Sequence, residues 1–352
     1  MSYQLCEKIK NLQPYEPISG EYSVRLDANE SFVELPEDTW REVHERIGSS
    51  AVNRYPDPLA AEICSLFGEY HGISPEYITA GNGSDELLSV ITQAFLMRGE
   101  RMTVLDREFS MYNFYGSLAE VEVSVFKKRE DGTIDSAALI DYVNQNGSRL
   151  LMFSNPCNPT GLALPTEEVM SIVDGCPNCL VVVDEAYMDF WDQPVIQLAP
   201  QRDNMIVLRT CSKAFRMAGM RVGFAVACRR LTDALRAVKS PYNVNTLSQE
   251  AAAAVLSRPD EIHEAVRLVL SQRDALFAAL SEMEKRHEGA FSLVQTVTNF
   301  MFINMPAGRA KEMFEALKAK GIVIRLLGSS LRVTVGTAEE NEQFLAAFES
   351  LL

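Results

Sequence analysis

Residues 205–215 read MIVLRTCSKAF, and this stretch decides the fold expected of the chain. Its apolar beginning, residues 205–208, predicts a strand that is buried on both faces, as in a parallel sheet. Lys213 follows the end of that strand, next to small hydroxyl and thiol side chains. An amine that is held there and partly desolvated is neutral enough to attack an aldehyde and form a Schiff base. Taken alone, the stretch also fits a surface loop with a solvated lysine.

A second apolar run lies upstream, where residues 181–183 are all valine and are followed at once by Asp184 and Glu185. Three β-branched residues predict a short buried strand. A carboxylate at the carboxyl end of such a strand points into the crevice where α/β proteins bind ligands. By itself, the run 184–187 equally fits the start of a helix, whose dipole favours acidic residues.

Residues 154–161 read SNPCNPTG and follow a third apolar run at 150–153. Two Asn-Pro steps impose an extended path after a strand and leave the amide side chains to hydrogen-bond another group. Standing alone, the segment fits a turn with self-bonded Asn residues. Taken with the two other runs, the chain order of five residues resembles that of fold-type I pyridoxal-phosphate enzymes of the aspartate aminotransferase superfamily. These residues are Asn158, Asp184, Tyr187, Lys213 and Arg221.

Three further stretches resemble signatures of the histidinol-phosphate aminotransferase family: LDANE at 26–30, RYPDP at 54–58 and GNGSDELL at 81–88. The resemblance implies transamination between histidinol phosphate and 2-oxoglutarate, giving imidazole acetol phosphate and glutamate in a ping-pong cycle. Threonine-phosphate decarboxylases and some aromatic amino acid aminotransferases look similar and remain alternatives. A non-catalytic regulator that binds pyridoxal phosphate is disfavoured, because neither end of the chain shows a basic helix-turn-helix extension.

The expected architecture is α/β, that of a fold-type I pyridoxal-phosphate transferase. Helix and strand patterns alternate most clearly from 51 to 239, which predicts a doubly wound, mostly parallel sheet. We expect a large cofactor-binding domain at 50–245. A smaller α+β domain would combine the N-terminal arm, 1–49, with 246–352, where strands are predicted at 291–294, 300–304, 322–325 and 331–335.

The resemblance assigns roles around the cofactor ring. Lys213 would bond covalently to pyridoxal 5′-phosphate and act as general base and acid. Asp184 would pair with the pyridine nitrogen, and Asn158 and Tyr187 would hydrogen-bond the ring oxygen. Tyr112 corresponds to the aromatic residue that stacks on the ring, although a tyrosine of the core fits the sequence equally well.

The cofactor phosphate requires backbone donors and positive charge. Gly83, Ser84 and Asp85 open a predicted helix, where glycine permits close backbone approach and the helix N-terminus supplies unpaired N–H groups. This is not the dinucleotide-binding fingerprint, because the third glycine is absent. On its own the segment fits a glycine turn with a Ser or Asp cap. By resemblance, Ser212 and Arg221 complete the phosphate site.

Substrate recognition is implied for the C-terminal unit. Arg332, on a predicted strand, resembles the carboxylate-binding arginine of the superfamily, whose planar fork fits a carboxylate or a phosphate. An exposed arginine on a strand is otherwise ordinary. Arg325 and Tyr15 stand at positions expected to help bind the substrate phosphate, and Asn29 and Asn158 complete the implied set.

Partners are expected to be small molecules and a second copy of the chain. Tyr55 resembles a residue that reaches the cofactor phosphate of the neighbouring subunit, which implies a homodimer with shared sites. The net charge of −15 disfavours nonspecific binding to nucleic acid or to anionic membranes. No apolar run is long enough to span a membrane, and the first residues lack a signal-peptide pattern, so a cytoplasmic location is expected.

Seven cysteines are scattered along the 352 residues without the spacing of a disulfide framework, so reduced thiols are expected. Cys176 and Cys179 are three residues apart, but the sequence has no second Cys or His pair at the spacing of a zinc site. No metal site is therefore predicted. Cys157 stands where the resembled family often has asparagine, which is expected to be tolerated because the functional amide belongs to Asn158.

Overall fold

The apolar runs at 150–153, 181–183 and 205–208 become neighbouring strands of one sheet. The computed structural model describes residues 2–10, 12, 14 and 16–352; Tyr15 lies outside the described residues. The strands are β1 (Val24–Arg25), β2 (Ile78–Gly81), β3 (Arg101–Leu105), β4 (Glu122–Phe126), β5 (Leu150–Ser154), β6 (Leu180–Asp184), β7 (Met205–Thr210), β8 (Gly223–Ala227), β9 (Ser292–Val294), β10 (Phe300–Asn304), β11 (Ile322–Val323), β12 (Arg325–Leu327) and β13 (Ser330–Thr334).

Amphipathic segments between the strands become helices. They are α1 (Glu7–Lys10), α2 (Glu37–Ser49), α3 (Ala61–His71), α4 (Ser84–Phe95), α5 (Met111–Leu118), α6 (Ser136–Gln145), α7 (Thr166–Gly175), α8 (Arg229–Val238), α9 (Thr246–Leu256), α10 (Pro259–Arg286), α11 (Arg309–Ala319) and α12 (Ala338–Glu349). Within the described ranges, none of these helices has the length and apolar character needed to cross a membrane.

The central sheet has the strand order β2-β8-β7-β6-β5-β3-β4. Neighbours from β7 to β4 pair in parallel, whereas β8 runs antiparallel to both β7 and β2. Every residue of β5, β7 and β8 is buried. This confirms the predicted doubly wound, mostly parallel sheet and explains the continuous apolar runs, because helices cover both of its faces. The carboxyl ends of β3 to β7 therefore lie along one edge.

Residues of β6 show how the two faces of the sheet are filled. Val181 and Val183 pack into one apolar cluster, and Val182 packs into the cluster on the opposite face. This is the two-residue alternation of a strand. The first cluster also contains Val43 of α2 and Ala252 of α9, which come from chain segments outside 50–245. The division into a domain at 50–245 and a second one from 1–49 and 246–352 stays a prediction.

A smaller core forms around a second sheet, β12-β13-β10-β9, which is antiparallel throughout. The N-terminal segment joins it, since β1 pairs in parallel with β11 and Val24 lies opposite Ile322. The single strand predicted at 322–325 is instead divided into β11 and β12. The reason is a change of partner: residues 322–323 pair with β1, and residues 325–327 pair with β13.

Candidate active site

The predicted motifs converge because their strands are neighbours. Ser154, the last residue of β5, lies opposite Asp184, the last residue of β6. Asp184 in turn lies opposite Leu208 of β7, and Lys213 follows that strand. The ends of parallel strands thus bring residues from three separate motifs to one edge of the sheet, where α/β proteins bind ligands.

Asp184 is a buried carboxylate with few donors. Its Oδ2 accepts a hydrogen bond from the Tyr112 hydroxyl at 2.8 Å, and its Oδ1 accepts one from the Ala186 N–H at 3.1 Å. Burial raises the pKa of Asp184 to about 6, although both hydrogen bonds act in the opposite direction. A positively charged N–H beside such a carboxylate stabilises its ionised form.

Lys213 is held by the N-terminal segment. Its Nζ donates to the carbonyl oxygen of Ala28 at 3.0 Å and lies 5.8 Å from the centre of the Tyr187 ring. The Tyr187 hydroxyl accepts a hydrogen bond from Asn29 Nδ2 at 2.9 Å. Asn29 is fully buried in a left-handed conformation with a φ of 53°. Asn29 therefore orients the Tyr187 hydroxyl, a contact that its sequence motif did not reveal.

Backbone and side-chain donors lie close together at the start of α4. Gly83 caps this helix without a side-chain hydrogen bond, so the first N–H groups of α4 are left for another acceptor. A Cβ at Gly83 would lie 2.7 Å from Arg221 Nη2, and one at Gly223 would lie 2.3 Å from the Ser84 nitrogen. Arg221 Nη1 donates to Ser212 Oγ at 3.0 Å. The arrangement offers several donors to one anion.

Asp85, the second residue of α4, has one carboxylate oxygen, Oδ1, that is buried and has no hydrogen-bond partner among the described residues. Its carboxylate hydrogen-bonds Tyr115, and burial together with that carboxylate raises the pKa of the Tyr115 hydroxyl. The turn itself is fixed by Glu86, whose Oε2 accepts from the Asn82 N–H at 2.6 Å and from Asn243 Nδ2 at 2.8 Å. Sequence reasoning missed Asn243, because nothing local to it indicates a role in a turn so far away in the chain.

Arg332, in β13 of the second sheet, contacts the Asn-Pro segment that follows β5 of the central sheet. Its Nη1 donates to Asn158 Oδ1 at 2.6 Å, and its Nη2 donates to the Asp27 carbonyl oxygen at 2.8 Å. The guanidinium also lies 5.5 Å from the centre of the Phe300 ring. In the register of β12 and β13, Arg325 stands directly opposite Arg332, so the two side chains share one face of the sheet.

Two further tyrosines expected at the site, Tyr112 and Tyr55, have different surroundings. Tyr112 is fully buried and its hydroxyl is bonded to Asp184. The half-buried ring of Phe109, which sequence reasoning missed, lies 5.8 Å from the Tyr112 ring in an edge-to-face contact. Tyr55 is 80% exposed and stacks on Tyr242 with the ring centres 4.4 Å apart. Tyr15 is not among the described residues.

Comparison with known proteins identifies the family. A model of the family described as aminotransferase class I and II matches residues 22–348. The chain belongs to this family. The histidinol-phosphate aminotransferase of Clostridium novyi is 36% identical to this class I and II aminotransferase over 338 residues, which cover 95% of the chain and 93% of that protein. Its counterpart from Thermoanaerobacter pseudethanolicus is 36% identical over 353 residues, 98% of each chain.

The fold agrees with this assignment. A crystal structure of histidinol-phosphate aminotransferase from Sinorhizobium meliloti in complex with pyridoxal-5′-phosphate superposes with a TM-score of 0.89, at 21% identity, covering 100% of this chain and 98% of the other. The chain is thus a pyridoxal-phosphate-dependent aminotransferase with the α/β architecture of fold-type I, as the sequence predicted.

The described residues fit pyridoxal phosphate on independent grounds. The buried carboxylate of Asp184 suits a protonated ring nitrogen, since burial has already raised its pKa to about 6. The uncapped start of α4, Arg221 and Ser212 suit a phosphate group. A larger residue at Gly83 would collide with the Arg221 guanidinium, and one at Gly223 would collide with the backbone of Ser84, so glycine at these positions lets the donors lie close together.

Proposed function

We propose that this aminotransferase moves the amino group of histidinol phosphate to 2-oxoglutarate, giving imidazole acetol phosphate and glutamate in histidine biosynthesis. The relatives that match it over nearly its whole length carry the name of that activity. The structural observation that carries the proposal is the register of Arg325 opposite Arg332.

Arg325 and Arg332 stand directly opposite each other on one face of the sheet, so two guanidinium groups start from neighbouring positions. A dianionic phosphate group matches two such groups in charge better than a single carboxylate does. Histidinol phosphate has no α-carboxylate, so its phosphate is the group that the arginine pair would recognise. In the other half-reaction, a carboxylate of glutamate or 2-oxoglutarate would bind to Arg332, because a planar guanidinium can donate hydrogen bonds to either anion.

Around the ring, the roles follow from the observed contacts. When bound, pyridoxal phosphate supplies an aldehyde that takes up the amino group and a ring that withdraws electrons from the substrate carbon. Lys213 would hold the cofactor covalently and move the proton of the substrate α-carbon. Asp184 would accept the N–H of the ring nitrogen, and Asn158 and Tyr187 would hydrogen-bond the ring oxygen. The aromatic ring of Tyr112 would stack on the face of the cofactor ring.

The phosphate would be bound by the backbone N–H groups of Ser84 and Asp85, next to Gly83, and by the side chains of Ser212 and Arg221. In the proposed homodimer, Tyr55 reaches the phosphate in the site of a second subunit. Its high exposure is consistent with such a role. Tyr15 and Asn29 remain in the proposed substrate set, with Asn29 acting through the Tyr187 hydroxyl. A cytoplasmic location is part of the same proposal.

The experiment that tests this function is a half-reaction. The protein is purified with pyridoxal phosphate, and the absorbance of the Lys213-bound cofactor is followed on addition of histidinol phosphate without any keto acid. We expect loss of that absorbance and formation of imidazole acetol phosphate in an amount equal to the enzyme. Phosphothreonine, with capture of carbon dioxide, and phenylalanine are tested in parallel. An enzyme that responds to either of them but not to histidinol phosphate would refute the proposed substrate.

A further inference from the structure

A buried ion pair lies beside the site and has no role in the chemistry described above. Glu108 is in the loop between β3 and α5, and Lys128 lies just beyond β4. Because β3 and β4 are adjacent parallel strands, with Leu105 opposite Phe126, the two residues meet where the strands end. Lys128 Nζ is 2.6 Å from Glu108 Oε1, and both side chains are 1% exposed.

The ammonium of Lys128 has an acceptor for each of its protons. Besides Glu108, it donates to the carbonyl oxygen of Arg107 at 3.3 Å and to Cys157 Sγ at 3.2 Å. Burial lowers the pKa of Lys128, but Glu108 and Cys157 together outweigh this and leave the pKa raised. Lys128 is therefore cationic at neutral pH and fixes one oxygen of Glu108.

The other oxygen of Glu108 is directed at the Asn-Pro segment. Oε2 accepts a hydrogen bond from the Ser154 N–H at 3.1 Å and a short one from the Ser154 hydroxyl. Since that hydroxyl gives its only proton to Glu108, its oxygen is left to accept, and it accepts the backbone N–H of Asn158 at 3.1 Å. The direction of each hydrogen bond from Lys128 to Asn158 is thereby determined.

Stability alone does not account for such an arrangement. A buried ion pair pays a desolvation penalty that an apolar pair of the same volume avoids, and replacing such pairs by apolar residues is often neutral or stabilising. A fully satisfied buried network does, however, fix its members in one geometry. The group at the end of this network is Asn158, whose side chain holds Arg332 at 2.6 Å.

We propose that Glu108 is a positioning residue that orients Asn158 through Ser154, and that Lys128 holds the Glu108 carboxylate in place for this purpose. The proposal rests on the proposed function, because Asn158 is the residue expected to contact both the cofactor ring oxygen and Arg332. A displaced Asn158 would weaken the hydrogen bond to the cofactor and would also alter the acceptor that positions Arg332.

The test uses Ser154→Ala, Glu108→Gln and the double variant, with Cys157→Ser as the matched control. Cys157 Sγ contacts Lys128 Nζ and, at 3.6 Å, Glu108 Oε1, whereas the path to Asn158 runs through Glu108 Oε2 and Ser154; its replacement therefore disturbs the same cluster without interrupting that path. Affinity of the cofactor-free protein for pyridoxal phosphate is measured by equilibrium dialysis. The pH midpoint of the cofactor absorbance band is measured on the same samples, and KM and kcat are measured with histidinol phosphate.

We expect Ser154→Ala and Glu108→Gln each to weaken cofactor binding about tenfold, the effect of one well-placed hydrogen bond. The double variant should be no worse than either single one, because both interrupt the same path. The pH midpoint should rise by about half a unit in these variants, since the ring oxygen loses a donor. KM for histidinol phosphate should rise as well, and Cys157→Ser should stay within about twofold of the original protein.

Additive effects in the double variant, or an equal effect of Cys157→Ser, would overturn the proposal. An unchanged affinity and pH midpoint in Ser154→Ala would overturn it too. Glu108→Gln leaves the Lys128 ammonium without its counter-ion, so Glu108→Gln combined with Lys128→Met supplies a neutral pair if the single variant fails to fold. Failure of the original protein to bind pyridoxal phosphate would refute the proposed function instead.

Discussion

At the scale of the residue, burial destabilises the ionised form of Asp184 in the cofactor-free protein. Burial raises its pKa to about 6 from the ordinary value of 3.8. The folded, cofactor-free protein therefore binds this proton more tightly than the unfolded chain does. Its contribution to stability is complete below the ordinary aspartate pKa and is lost as the pH rises through about 6.

Asp184→Asn is expected to stabilise the cofactor-free protein at pH 7.5 while weakening cofactor binding. A shift of about two pH units at about 1.4 kcal/mol each predicts a gain of up to about 3 kcal/mol in the free energy of unfolding, which should disappear near pH 4. Urea unfolding at both pH values measures this. Asp141→Asn, on the exposed surface of α6, is the control, and an equal gain at both pH values would contradict the assignment.

Lys213 is expected to be indispensable for turnover. Lys213→Ala should lower kcat by about ten-thousandfold, because both the covalent anchor and the proton carrier are lost, while the phosphate contacts still retain the cofactor. Stopped assays for imidazole acetol phosphate and dialysis for bound cofactor separate the two effects. Lys213→Arg keeps the positive charge without the reactive amine, so normal turnover in either variant would rule out the role given to Lys213.

Some residues of the site could be predicted from the sequence, and others could not, for a physical reason. Lys213 and Asp184 stand at or just after the ends of buried strands, and a polar residue at the end of an apolar run can be recognised from the sequence itself. Glu108 and Lys128 stand in loops rich in charged residues that resemble any solvated surface. Only the adjacency of β3 and β4 brings the two together and buries them.

At the scale of the element, the sequence did not indicate the direction of β8 or its close contact with the start of α4. Its apolar run predicts a strand, but whether a strand runs parallel or antiparallel depends on the path of the connection. Here β8 returns antiparallel between β7 and β2, and Gly223 at its start passes against the backbone of Ser84.

Gly223→Ala is expected to disturb the phosphate site through the backbone. Its Cβ would meet the Ser84 nitrogen at 2.3 Å and the Gly83 carbonyl carbon at 2.7 Å, and neither can move as a flexible side chain could. We expect a loss of about 1–3 kcal/mol in stability and weaker binding of pyridoxal phosphate. Gly219→Ala, whose Cβ would have no neighbour within 4 Å among the described residues, is the matched control in thermal unfolding and dialysis. Equal behaviour of the two variants would contradict the close approach.

At the scale of the whole molecule, residues distant in the sequence meet at the site. The segment around Ala28 and Asn29 reaches Lys213 and Tyr187, and β13 brings Arg332 to Asn158. The sequence predicted that these motifs belong to one site because of their likeness to a family. It could not predict which contacts join them, because those depend on how the two cores pack.

The proposed homodimer can be tested by mixing two impaired subunits at limiting pyridoxal phosphate. Tyr55→Ala should weaken cofactor binding, and Lys213→Ala should abolish turnover. If Tyr55 serves the site of the other subunit, a hybrid dimer of the two variants contains one intact site, and mixing after mild dissociation should restore activity. Sedimentation of the original protein checks the dimer itself. A monomer, or a mixture that stays inactive after verified exchange, would contradict shared sites.

The bond between Arg332 and Asn158 has a consequence for affinity. In the resting enzyme Nη1 of Arg332 is held by an amide oxygen at 2.6 Å and Nη2 by a carbonyl oxygen at 2.8 Å, so the direction of the guanidinium is set before an anion binds. A guanidinium carries five N–H donors in a fixed fork, and an anion that meets a fork already in place loses less free energy in ordering it. A phosphate or a carboxylate gains more from such donors than an uncharged analogue of the same shape, because hydrogen bonds to an ionised acceptor are about twice as strong as neutral ones. Discrimination against uncharged ligands is thus built into the conformation that exists before any ligand arrives.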